Sequence, residues 1–127
     1  GKIGLMLIHG GGGGTAADLR YIGDKLNQKH RYNIHVPLLP GFGRNPEILK
    51  EKEIKDWKKY IDRELDLLIS NTEHQFIEGH SMGSLLAIIK AKETEVDGIF
   101  SISTPIGIRG LKKKEKPISE MVLKERI

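Results

Sequence analysis

Residues 79 to 84 read Gly79-His80-Ser81-Met82-Gly83-Ser84. A G-x-S-x-G stretch between an extended run and a helical run sets its serine on a sharp turn, where only glycine neighbours fit. Here Q-F-I-E precedes the stretch and S-L-L-A-I-I-K follows it. The chemistry open to such a serine is nucleophilic attack on a carbonyl. That attack needs a base to take the hydroxyl proton and N–H donors to hold the oxyanion. Ser81 is the candidate nucleophile, and the N–H of Met82, at the start of the next helix, points into the same space.

A second cluster, His9-Gly10-Gly11-Gly12-Gly13-Gly14, offers three chemistries. A dinucleotide fingerprint needs a third small residue where Thr15 stands, and an acid about twenty positions on. The second strand ends instead in His35 and Val36. A phosphate loop needs G-K-[ST], which the chain lacks. An oxyanion loop needs only backbone N–H groups free to turn inward, and the serine turn favours that reading. His9 then orients the loop and is not the base.

The base itself is not evident. All five histidines lie at or before position 80. His80 flanks the serine but is expected to turn inward to the core. His35 is expected at the functional edge beneath a loop, with His30 and His74 at the opposite edge. Asp97, Glu115, Glu120 and Glu125 follow Ser81, but a carboxylate without an imidazole is not the usual pair.

These groups need elements to hold them. The apolar run Ile3 to Ile8 predicts a strand buried on both faces. A helix is expected from Thr15, its N-cap, with Ala16, Leu19, Ile22, Gly23 and Leu26 on one side. A second strand spans Tyr32 to Val36, and turn residues make 38 to 46 a loop. Trp57, Ile61, Leu65 and Leu68 mark a helix over roughly Ile54 to Ser70. A third strand near Gln75 to Glu78, a helix from about Ser84 to Lys92 and a fourth strand, Gly98 to Ser103, complete the pattern. Strands alternating with helices predict an α/β fold, a parallel sheet with flanking helices.

Composition narrows the setting. The chain of 127 residues is 38% hydrophobic and 30% charged, as in an ordinary globular domain. It has no cysteine, which rules out disulfides and thiolate metal sites. No apolar run reaches the roughly 20 residues of a membrane span, and a cytoplasmic location is expected. The net charge of +4 lies wholly in residues 109–127, which hold seven Lys or Arg and three Glu. A charge excess confined to one tail reads as a solvated segment, not a nucleic-acid face.

The ordered motifs I-H-G-G-G-G, L-P-G-F-G, G-H-S-M-G-S and V-D-G-I-F-S-I-S-T-P-I resemble the α/β-hydrolases, nearest the carboxylesterase and monoacylglycerol lipase branch. The glycine run departs from that branch, whose first loop is usually H-G-F or H-G-x-x-G. The resemblance implies an oxyanion hole from the N–H groups of Gly11 and Met82, and a substrate pocket bordered by Gly10, Gly12, Gly41, Phe42 and His80. It implies a small acyl-ester substrate, with no cofactor and no metal. It covers residues 2 to 108. The expected division is a partial core at 1–108 and a basic tail at 109–127 that looks like the start of a cap. The expectation is the N-terminal half of an α/β-hydrolase fold, lacking the downstream Asp and His. Such a half would self-associate or meet a complementing C-terminal half. Two alternatives stay open: a non-catalytic acyl-binding or interaction remnant, and an acyltransferase.

Overall fold

A computed structural model of the chain describes residues 2–11, 16–43 and 46–105. The elements run β1 (Ile3–Ile8), α1 (Ala16–His30), β2 (Asn33–His35), α2 (Pro46–Lys50), α3 (Ile54–Asn71), β3 (His74–His80), α4 (Met82–Glu93) and β4 (Gly98–Ile102). The four strands form one parallel sheet in the order β2-β1-β3-β4. This is the α/β sheet with flanking helices that the alternating pattern predicts.

Sheet register decides what can meet at the functional edge. Ile8 pairs with Gly79, and Gly79 with Ser101. The chain leaving β1 at His9 therefore lies level with the chain leaving β3 at His80. Two loops distant in sequence are set side by side.

The core lies between the sheet and α3 and α4. Met6, Ile8 and Ile77 pack with Ile61, Leu65, Leu68, Leu86 and Ala87. In α3 the buried residues Ile61, Leu65 and Leu68 fall three and four apart, and each full burial contributes about 2 kcal/mol. A capping box starts α3, with the Glu53 N–H donating to Asp56 Oδ2 at 2.8 Å. Helix α4 is buried over most of its length, from Gly83 to Lys90.

Four details differ from the sequence-based expectation. Ile22 is 46% exposed; α1 turns Leu19 and Gly23 to the sheet instead, because Gly23 sits against Ile34, Val36 and Leu7. Strand β2 is only three residues long. A short helix, α2, begins at Pro46, where a loop was expected to end; proline suits a first helical position because its missing N–H would have no partner there. Finally, Lys90 is buried at 1% exposure in an apolar helix, paired with Asp62 on α3 and with Glu93. The expected cap at Thr15 and the basic tail at 109–127 lie outside the described residues. Among the described residues, no helix is long and apolar enough to cross a membrane.

Candidate active site

Ser81 is the single residue between β3 and α4. Its backbone has φ 55° and ψ −120°, a conformation that costs a residue other than glycine about 1–3 kcal/mol. Surrounding bonds hold it there. The Ser81 N–H donates to the Ile102 carbonyl at 2.8 Å, and the Ser84 N–H and hydroxyl donate to the Ser81 carbonyl at 2.9 Å and 2.5 Å. The main chain is tied on both sides, yet the Ser81 hydroxyl makes no hydrogen bond among the described residues.

The two flanking glycines are required by packing. A Cβ on Gly79 would lie 2.3 Å from the Gly83 carbonyl oxygen, and one on Gly83 would lie 2.3 Å from that of Ile8. The first turn of α4 is thus pressed against the ends of β1 and β3, and no side chain fits between. Its leading N–H groups have no acceptor within the helix.

The loop after β1 lies over this turn. A Cβ on Gly10 would sit 3.2 Å from Ser81 Cβ and 3.8 Å from its Oγ; one on Gly11 would sit 3.3 Å from Met82 Sδ. His9 sets the entry to the loop. Its Nδ1 lies 2.7 Å from the Gly10 carbonyl and so donates to it, while Nε2 accepts the Leu39 N–H at 3.0 Å. Those contacts define a neutral imidazole with its proton on Nδ1. With both nitrogens engaged by backbone, His9 orients the loop and is unavailable as a base.

Behind His9 stands Phe42, edge-on with ring centroids 4.9 Å apart. The turn that carries Phe42 is held by Trp57, whose indole N–H donates to the Pro40 carbonyl at 2.9 Å. Gly41 and Gly43 take φ of 91° and 72° in that turn, values that glycine adopts without strain. Gly41 faces Leu49 and Lys52.

The structure brings together Gly10, Gly11, Ser81 and Met82, with Phe42 reaching the group through His9. Gly12 lies outside the described residues. His80 is a correction: expected to turn inward, it is exposed. Strand alternation assigns the inward positions to Ile77 and Gly79, which leaves Glu78 and His80 on the other face. Desolvation pushes the Glu78 carboxyl up, and the nearby His80 partly opposes that shift.

The remaining histidines lie elsewhere. His74 Nδ1 lies 3.2 Å from Asp97 at the strand-entry edge, and His30 stacks on Tyr32. His35 Nδ1 faces Glu64 at 3.5 Å. Among the described residues, no histidine bonds to the Ser81 hydroxyl. Among the described residues, no group of three or more His, Cys, Asp or Glu could hold a metal ion.

Comparison with known proteins adds three findings. The family model described as alpha/beta hydrolase fold matches residues 4–120. No curated protein matches the chain by sequence. Among solved structures, one from the metagenome-derived lipolytic enzymes LipS and LipT superposes with a TM-score of 0.78 at 23% identity, covering 86% of this chain. At that identity the likeness is one of fold. The chain spans 44% of the length of that structure.

Proposed function

Since the chain belongs to the α/β-hydrolase fold family, we propose that it carries the nucleophile half of a serine carboxylic-ester hydrolase of the carboxylesterase or monoacylglycerol lipase kind. The lipolytic character of the matched structure agrees with an ester substrate. The absence of cysteine agrees with a cytoplasmic location.

In this reading the Ser81 oxygen attacks the ester carbonyl and its proton passes to a base. The tetrahedral oxyanion accepts hydrogen bonds from the N–H groups of Gly11 and Met82. Collapse breaks the bond to the alcohol oxygen, which leaves with the proton, and an acyl-serine remains. Water then repeats the sequence and frees the acid. Gly10, Gly41, Phe42 and His80 border the substrate. Since none of the five histidines suits the base, we assign that role to residues of the protein outside this stretch.

The observation that carries the proposal is Ser81 itself, held at positive φ beneath Gly10 and Gly11, with a hydroxyl unengaged among the described residues. Reaction with p-nitrophenyl acetate tests it. The ester has a good leaving group, so acylation needs little acid help, whereas deacylation still needs a base. A burst of at most one equivalent followed by slow turnover is expected, with free imidazole raising turnover. Ser81→Ala should abolish the burst, and a variant reacting as fast as the parent would refute the assignment.

The lack of any histidine on Ser81 favours one rival, a remnant that binds acyl groups without turnover; it predicts no burst. Transfer of the acyl group to an added alcohol faster than to water would identify an acyltransferase.

A further inference from the structure

A cavity of about 450 Å³ lies at the outer edge of the sheet, between α1, the end of β2 and α3. That size falls in the range of small-molecule sites. It opens near the C-terminal edge of the sheet, since His35 is level with Met6 and Ile77 in the register. Strand β2 lies two positions from β3, about 10 Å at the usual strand spacing. None of the cavity's lining residues belongs to the Ser81 group.

The lining combines opposite charges on an apolar floor. Arg20 comes from α1, Val36 and Leu38 from the chain after β2, and Tyr60 and Glu64 from α3. Arg20 and Glu64 share the cavity without forming an ion pair with each other, and among the described residues Glu64 has only His35 opposite it. His35 Nδ1 is closed off from solvent and has no hydrogen bond, and Glu64 Oε2 stands 3.5 Å away, just beyond bonding distance. A buried polar nitrogen without a partner is rare in folded proteins. A cation that fixes one oxygen of Glu64 would leave the other free to close on Nδ1–H.

We propose that this cavity is a second ligand site, for a small molecule with an anionic group at one end and an ammonium at the other. Arg20 takes the anion, Glu64 takes the ammonium, and Val36 and Leu38 support the carbon chain between them. His35 is a positioning residue that holds Glu64. The site stands independently of the role given to Ser81.

Titration with ω-amino acids of three to six carbons, followed by amide and side-chain NMR, tests the proposal. At least one length should give saturable shifts at Arg20, His35 and Glu64. It should bind at least tenfold more tightly than the matching carboxylic acid or amine alone, which each carry one charge. Arg20→Ala and Glu64→Gln should each weaken binding at least tenfold. Ser81→Ala, which removes only the proposed nucleophile, should bind as the parent does. The proposal is overturned if no length gives saturable shifts, if the one-charge controls bind equally well, or if both variants bind like the parent. Loss of the ester burst in the parent would leave these results unchanged, so the two claims fail separately.

Discussion

At the level of single residues, backbone strain at one serine marks the candidate active site. Ser81 occupies φ 55° because Gly79 and Gly83 let strand and helix approach so closely that no other path joins them. The strain belongs to the backbone and not to the hydroxyl. Ser81→Gly should therefore be more stable than Ser81→Ala by about 1 kcal/mol, although both lack the nucleophile. Gly79→Ala should lose about 3 kcal/mol, since its methyl would sit 2.3 Å from a backbone oxygen that cannot withdraw. Urea unfolding of the variants reads both effects. Equal stability of the glycine and alanine variants would show that the turn is not strained. The sequence made this residue legible because the glycine spacing reports a steric demand. His80 was not legible, since its direction depends on where strand pairing ends, and no local pattern states that.

At the element scale, α3 and α4 are joined by charge as well as by packing. Burial alone would lower the Lys90 ammonium pKa, but hydrogen bonds to Asp62 and Glu93 outweigh it and hold the group above its ordinary value. Glu93 is raised by burial and lowered further by Lys58 and Lys90, and its carboxyl ends below its ordinary value. Removing both acids, as Asp62→Asn with Glu93→Gln, leaves a buried ammonium without a counter-charge and should cost about 3 kcal/mol. Adding Lys90→Met should restore most of that loss. If the methionine variant restores nothing, the loss came from packing. The pH dependence follows from the sign of the Glu93 shift. A lowered carboxylate stabilises the fold fully above its unfolded pKa, and the contribution fades as pH falls through the folded value. Stability should therefore drop below about pH 4.3, and less steeply in the Glu93→Gln variant. Helix periodicity made α3 legible, but Lys90 was hidden. A lysine at the end of S-L-L-A-I-I-K reads as solvated unless its partner on α3, Asp62, 28 positions away, is known.

At the scale of the whole molecule, one face of the sheet is covered only in part among the described residues, by α1 over β1 and β2. Parallel sheets are normally covered on both faces, yet Phe100 is 57% and Ile102 is 45% exposed on β4. Ile3, Leu5, Tyr32, Phe76 and Phe100 line an apolar hollow of about 250 Å³ on the sheet. Self-association or a complementing half is the expected cover. Phe100→Ser with Ile102→Thr should shift sedimentation of the chain towards monomer, and a parent that already sediments as a monomer would rule self-association out. The alternation of strands and helices made the sheet legible, because burial on both faces leaves apolar runs in the sequence. The cavity beside His35 was not, because its walls come from three separate stretches of chain.

Locating the acyl group decides whether Ser81 is the nucleophile. The chain is treated with a short activated ester, quenched in acid during the burst, digested and mapped by mass spectrometry. A single acyl group on the peptide bearing Ser81, absent from Ser81→Ala, is the predicted result. Acyl groups spread over lysines, with Ser81 unmodified, would contradict it.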